Sequence, residues 1–242
     1  MNQNFRFLLL QARNPDDPMA EHEVQCFSRS FRCSQDKIRV LDLLSGVPSK
    51  RELEEADVIL LGGSGDYSVA KGGPWLPSAL GTMCTLYETS KPTFASCWGF
   101  QAMAEALGGK VVTDYSLAEV GTLTLKLTPA GKKDPVFGPL GSDFQVQIGH
   151  EDIVTQLPQD AILLASSDQV PNEAFCFEGK PIYCTQFHPE LNREGIITRI
   201  LQYPEYLKLT GYPSLEDFSA ATPETPETEA ILRRFMKEVF GE

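Results

Sequence analysis

Apolar and polar positions change rhythm about halfway along the chain. In the first half, short continuous apolar runs alternate with stretches of helical period. Phe5–Ala12, Ile38–Leu44, Val58–Leu61 and Thr93–Ser96 predict strands, while Lys50–Ala56, Leu76–Thr89 and Trp98–Leu107 predict helices. Gly108-Gly109 stops the last of these. The alternation predicts an α/β fold, a parallel sheet with helices on both faces. Open sheets of this kind place their chemistry on loops at the carboxyl ends of strands. The glycine-rich turn Gly62-Gly63-Ser64-Gly65 and Cys97 both fall at such ends.

The second half reads as shorter strands with turns between them: Val111-Val112, Gly121–Leu127, Phe144–Ile148, Ala161–Ser166, Ala174–Phe177 and Ile182–Phe187. They predict a mixed or antiparallel extension of the same sheet within one domain over residues 1–242. PETPET, residues 223–228, is the most linker-like stretch. It precedes a closing helix at 229–240, whose Ile231, Leu232, Phe235, Met236 and Val239 fall on one face. Residues 191–222, rich in Tyr, Pro and Leu, match no simple period and are expected to form a lid or an interface.

Composition narrows the function. The 242 residues carry a formal net charge of -12, which argues against nucleic acid or an anionic membrane as the main partner. No stretch approaches the roughly 20 apolar residues of a membrane helix. The N-terminal MNQNFRFLLLQARNP reads as a first strand and not as a signal peptide. The six cysteines form no CxxC pair and suggest neither a disulfide framework nor a metal site. Scattered thiols fit a reducing cytoplasm.

Candidate chemistry centres on KPTFASCWGFQAMAEALGG, residues 91–109. A cysteine between a strand and a helix lies beside free helix N–H groups and the positive end of the helix dipole, a setting expected to lower its pKa. Gly99 is expected to permit the tight turn. Taken alone, Cys97 fits a buried packing thiol better than a nucleophile. The balance shifts with IYCTQFHPE, residues 182–190. In extended backbone, His188 and Glu190 point to the same side. A carboxylate orienting a histidine that serves a thiol is the logic of nucleophilic catalysis. Such chemistry also needs an oxyanion site, for which the N–H groups of Trp98 and Gly63 are natural donors. The alternative for the glycine turn is a phosphate loop, but GGSGD lacks the Lys-Ser/Thr ending of one.

FASCWGFQ, followed about ninety residues later by QFHPE, resembles the class I glutamine amidotransferases. The likeness is to the glutaminase domain of GMP synthase and to stand-alone γ-glutamyl peptidases. LGGSGDYSV (61–69) resembles the family's glycine-rich loop, Glu119-Val120-Gly121 its Glu-x-Gly element, and GHEDIVTQLPQDAILLASS (149–167) its His-x-Asp stretch leading to Leu-Pro. The resemblance covers most of the chain and implies a flavodoxin-like fold with Cys97, His188 and Glu190 as a catalytic triad. It also implies that Gln101, Gly62 and the backbone near Ile148, Gly149 and His150 hold the substrate, with His150 equally readable as a structural histidine.

The implied substrate is glutamine or a γ-glutamyl compound, and no metal or organic cofactor is needed for its hydrolysis. A separate synthetase subunit would receive the ammonia, whereas a γ-glutamyl peptide hydrolase would work alone. A catalytically silent regulatory or binding subunit is the third reading. The sequence departs from the family at Ala95, where a glycine is usual, and at Phe100; with Trp98 these add bulk where the pocket is expected.

Overall fold

The computed structural model describes residues 5–241; the opening MNQN of the stretch read as a first strand lies outside them. Eleven strands and seven helices follow in order: β1 (Phe7–Gln11), α1 (Met19–Phe31), β2 (Ile38–Asp42), α2 (Lys50–Glu55), β3 (Val58–Leu61), α3 (Leu76–Glu88), β4 (Thr93–Ser96), α4 (Trp98–Ala106) and β5 (Lys110–Thr113). Then come β6 (Glu119–Leu127), β7 (Asp143–His150), β8 (Asp152–Gln156), β9 (Ala161–Ser166), β10 (Ala174–Phe177), β11 (Ile182–Thr185), α5 (Arg193–Gln202), α6 (Leu215–Ala221) and α7 (Pro226–Phe240).

Nine strands form one sheet in the order β2-β1-β3-β4-β11-β10-β9-β6-β7. The first five are parallel, and β10, β9, β6 and β7 extend the sheet in antiparallel fashion. This is the open, mixed α/β sheet expected from the pattern. The inner parallel strands β1, β3, β4 and β11 are buried throughout because both faces are covered, whereas the edge strand β2 exposes Arg39 and Val40. Phe7 and Leu9 of β1 pack with Phe27 and Phe31 of α1 and Phe235 of α7, whereas Leu8 and Leu10 face Met83 of α3 and Met103 of α4. One face of the sheet thus rests on α1 and α7, the other on α3 and α4.

Three regions differ from the expectation. Val111-Val112 joins no extension of the main sheet; it lies in β5, which pairs with β8 in a separate two-stranded sheet beside α4. Helix α1 was not legible because its buried face carries Glu23, Ser28 and Ser30 among Cys26, Phe27 and Phe31, which breaks the apolar period. The closing helix begins at Pro226, inside PETPET, because proline is well suited to a first helical turn.

Residues 191–222 fold as α5, a 3-10 turn at Pro204–Leu209, and α6. Their apolar residues, with Leu191, Ile196, Ile200 and Phe218 at the centre, make a third small core together with Cys26 of α1 and Val120 of β6. Asn192 caps α5 by accepting a hydrogen bond from the Gly195 N–H. The segment therefore rests across the carboxyl ends of the central strands, where the candidate residues lie.

Candidate active site

Strand β4 ends at Ser96, and Cys97 stands alone between it and α4 with φ +52° and ψ −104°. A positive φ on a residue with a side chain is strained and persists only where the surroundings hold it. Two backbone bonds do so: Cys97 N–H donates to the Thr185 carbonyl at 2.8 Å, and Gly99 N–H to the Gly62 carbonyl at 3.1 Å. Gly99 itself needs no unusual dihedral. It is required for close approach, because a Cβ there would lie 2.4 Å from the Leu61 Cβ and 3.3 Å from that of Ala95. The methyl of Ala95 fits because its neighbour has none. Phe100 points away from the site into the core, its ring 5.1 Å from Phe175; the bulk expected at the pocket comes from Trp98 alone.

His188 lies just beyond β11. Its Nδ1 is 2.6 Å from Glu190 Oε1, with both side chains buried. The sequence predicts this contact from extended backbone, but the chain has already left the strand and turns, the Leu191 N–H donating to the His188 carbonyl at 3.1 Å. A turn, and not a strand face, brings the two together. Arg29 Nη2 donates to the Glu190 carbonyl at 2.8 Å and Ser30 Oγ at 3.3 Å, fixing the acid against α1.

Cys97 lies between two clefts. One, of about 490 Å³, is polar and is walled by Ser68, Lys71, Trp98, Gln101, His150 and Asp152. The other, of about 440 Å³, is walled by Val120, Ile196, Ile200, Tyr203, Arg13 and Arg199 among others, and it also contains His188. Ser64, Gly65, Gly149 and Tyr206 border both. The Cys97 thiol donates to the Gly149 carbonyl at 3.6 Å.

The other expected site residues divide. Gln101 is buried beside the polar cleft, its amide donating to the Asp152 carbonyl at 3.0 Å and to Gln186 Oε1 at 3.2 Å. His150 borders the same cleft; its Nε2 is 3.3 Å from Glu119 Oε2, and its buried Nδ1 has no partner among the described residues. Asp152, the first residue of β8, ties the glycine-rich loop to β5, accepting from Ser68 Oγ at 2.6 Å and from Thr113 Oγ1 at 2.5 Å. Ile148 and Gly62 line neither cleft. The Ile148 side chain belongs to the core, and the Gly62 carbonyl is taken by Gly99.

The oxyanion expectation needs one correction. Trp98 N–H lies against the Cys97 sulfur and favours its charged form. Gly63 N–H, in contrast, donates to the buried Glu23 carboxylate at 3.1 Å. A donor already bound to a carboxylate is not free for an oxyanion. Nor does Gly63 adopt a left-handed dihedral; a Cβ there would meet the His188 Cε1 at 2.8 Å, so its smallness makes room for the ring.

Sequence reasoning did not find Glu23, Arg13 or Arg199. Glu23 accepts from Gln11 Nε2 at 2.9 Å and from Arg13 Nη2 at 3.2 Å, and Arg199 Nη2 lies 3.5 Å away. Arg199 Nη1 is 3.2 Å from His188 Nδ1 and 3.4 Å from Nε2. Arg13 had one legible signal: it follows the first strand's carboxyl end, where open sheets place functional groups.

Charge states follow from this setting. Burial pushes the Cys97 thiol up to about 12, against the smaller favourable pull of Arg199 and of the Trp98 N–H. The lowered thiol pKa expected from the helix terminus is therefore overridden by desolvation. Burial also lowers the His188 pKa, opposed by Glu190 and assisted by Arg199. Glu190 is lowered despite its burial, because His188 and Arg199 stabilise its charge. The resting pair is a neutral thiol and a neutral imidazole beside a carboxylate.

Comparison with known proteins identifies the family. The profile of the family "Glutamine amidotransferase class-I" matches residues 24–202. The glutamine-hydrolysing GMP synthase of Vibrio atlanticus (strain LGP32) is 31% identical over 147 residues, covering 58% of this chain and 26% of that protein. Its counterpart from Syntrophomonas wolfei subsp. wolfei is 38% identical over 160 residues, 64% of this chain and 30% of that one. The chain thus spans less than a third of the length of these relatives. Among solved structures, a glutamine amidotransferase of Thermotoga maritima matches with a TM-score of 0.74 at 20% identity over 98% of both chains. One from Methylobacillus flagellatus matches at 0.70 and 17% identity over 97% of this chain and 95% of that one. At such identities the solved structures speak for the fold. With a family profile over three quarters of its length and that family's fold, the chain belongs to the class I glutamine amidotransferases.

Proposed function

We propose that this protein hydrolyses a γ-glutamyl amide, with glutamine the simplest case, through a thioester on Cys97. The observation that carries the reading is the buried Glu190–His188 pair, at 2.6 Å, sharing a cleft with the strained Cys97 elbow. His188 takes the thiol proton as sulfur attacks the substrate's γ-carbonyl carbon. The oxyanion that forms is held by Trp98 N–H and by the Ser64 N–H, which has no protein partner among the described residues and borders both clefts. The C–N bond then breaks, and His188 returns its proton to the departing nitrogen. Water, deprotonated by His188, attacks the thioester, giving glutamate and the free thiol. Gln101, His150 and the Gly149 backbone, on the polar cleft, would hold the amino-acid end of the γ-glutamyl group.

A second reading, a stand-alone γ-glutamyl peptide hydrolase, is favoured by the other cleft. Ammonia needs no apolar chamber, whereas Val120, Ile196, Ile200, Tyr203 and Tyr206 offer one to a larger amine. One assay separates the two: glutamate release from glutamine and from γ-Glu-Gly and γ-Glu-Leu, beside a Cys97→Ala control. Hydrolysis of dipeptides at least about tenfold faster than of glutamine, equal to about 1.4 kcal/mol of transition-state preference, would favour the peptide hydrolase. Slow, Cys97-dependent turnover of glutamine alone would favour supply of ammonia to a separate synthetase. No Cys97-dependent release from any donor would favour the silent subunit.

A further inference from the structure

We propose that Arg199 and Glu23 are positioning residues for the His188 imidazole, the guanidinium lying across the ring face and Glu23 gripping both that guanidinium and the glycine-rich turn. The inference rests on the reading of His188 as the proton carrier.

The geometry assigns the contact. One guanidinium nitrogen stands almost equally far from the two ring nitrogens, at 3.2 and 3.4 Å. In the ring plane that placement would force it onto Cε1, so it lies over the face. The in-plane direction of Nδ1 is in any case taken by Glu190. A guanidinium stacks well on a neutral imidazole and is repelled by an imidazolium. Arg199 therefore favours the form of His188 that accepts the thiol proton.

Glu23 connects this contact to the turn. Its Oε1 accepts from Gly63 N–H at 3.1 Å and from Arg13 Nη2 at 3.2 Å, with Arg199 Nη2 at 3.5 Å. Its Oε2 accepts from Gln11 at 2.9 Å. A Cβ would crowd the place where the three parts meet: at Gly62 it would lie 2.1 Å from Glu23 Oε1, and at Gly63 2.8 Å from His188 Cε1 and 3.3 Å from Arg199 Nη1. Glu23 is fully buried on α1, and isolated charges at such depth are costly unless paired. Two arginines and two neutral donors satisfy it. One carboxylate thus holds α1, the turn after β3 and α5 in register around the imidazole.

The charged and titratable groups around His188 are Glu190 and Cys97 at the elbows, Arg199 from α5, Glu23 and Arg29 from α1, with Arg13, His22 and Cys26 beside Glu23 and Arg199. Removing Arg199 takes away a positive neighbour, and removing the Glu23 charge takes away a negative one. The two changes must move His188 in opposite directions, a signature that mere loss of packing does not produce.

The test is an NMR titration of the His188 ring in the full-length protein, assigned with His188→Gln. Where the ring titrates below the acid limit of folding, the pH dependence of Cys97 labelling by a glutamine-like chloroketone reports the same group. Arg199→Gln is expected to raise the His188 midpoint by about half a pH unit or more, and Glu23→Gln, which keeps shape, to lower it. Arg199→Lys keeps the charge and is expected to restore the midpoint to within about 0.3 unit of the wild type. Midpoints that coincide in all variants, with only the melting temperature changed, overturn the proposal. If Arg199→Gln does not fold, the downward shift in Glu23→Gln decides alone. Opposite shifts in a protein that turns over no donor would retire the hydrolase reading and leave this one standing.

Discussion

The Cys97 thiol is pulled two ways, by burial toward the neutral form and by the helix start toward the thiolate, and burial wins. A neutral thiol held up near 12 reacts only when a neighbour removes its proton as it attacks. His188→Gln is therefore expected to slow Cys97 labelling by a glutamine-like chloroketone at pH 7.5 by about 100-fold or more. Labelling that persists at the wild-type rate would show a thiolate formed without the histidine. The pH dependence has a definite sign. Because the His188 pKa is lowered from 6.5, the ring remains a base at neutral pH, and labelling should fall only on the acid side of 6.5. A midpoint at 7 or above would contradict the neutral pair. Cys97, His188 and Glu190 were legible because each stands in a local pattern, a strand end or a two-residue spacing. Glu23 and Arg199 were not: they lie 176 residues apart, and nothing local marks an arginine that will lie across a histidine.

Elements, more than individual contacts, set the elbow. Helix α4 can approach β3 only because Gly99 has no side chain, so Gly99→Ala must push Leu61 or the helix aside. A loss of about 1–3 kcal/mol in urea unfolding is expected, with Cys97 labelling slowed, as for overpacking of a tight core. An unchanged midpoint would mean that the elbow has slack. Helix α5 is held at its far end by Tyr203, whose hydroxyl donates to Asp17 at 2.8 Å and accepts from Arg13 at 3.2 Å. Tyr203→Phe is expected to cost about 1 kcal/mol and to speed amide exchange across residues 193–209. Exchange unchanged there would show that the apolar contacts of Ile196 and Ile200 suffice. The same contrast explains what the sequence disclosed about the fold. Strands β1, β3 and β4 and helices α3 and α4 were readable because each buries a continuous apolar run or stripe. Helix α1 was hidden because its inner face is partly polar, Glu23 and Ser30 serving the site beneath it. Helices α5 and α6 were hidden because they cover a small third core with few apolar positions apiece.

At the scale of the molecule, four buried cysteines give the fold a dependence on alkaline pH, in a chain whose net charge of -12 acts in the same direction. Burial raises Cys26 to about 11 and Cys97 and Cys176 to about 12, from 9.0, and raises Cys184 as well. A group whose pKa is raised in the folded state contributes stability that is complete below its unfolded pKa and is lost as pH climbs toward the folded value. The unfolded chain sheds these protons first, so the folded state should weaken from about pH 9 upward, by about 1 kcal/mol per deeply buried thiol at pH 10. The half-buried phenols of Tyr203 and Tyr206, also raised, add to the loss in the same direction above their ordinary value of 10. Self-repulsion of a more negative chain would mimic this trend, but repulsion between surface charges is screened by salt and the titration of buried thiols is not. Melting temperatures at pH 7.5 and 10, each at low ionic strength and in about 0.5 M salt, separate the two. A drop that survives salt, and that shrinks when Cys176 is replaced by Ala after correction for that variant's own loss at pH 7.5, assigns the effect to the thiols. A drop abolished by salt assigns it to surface charge and would mean that the buried thiols meet water in the folded state.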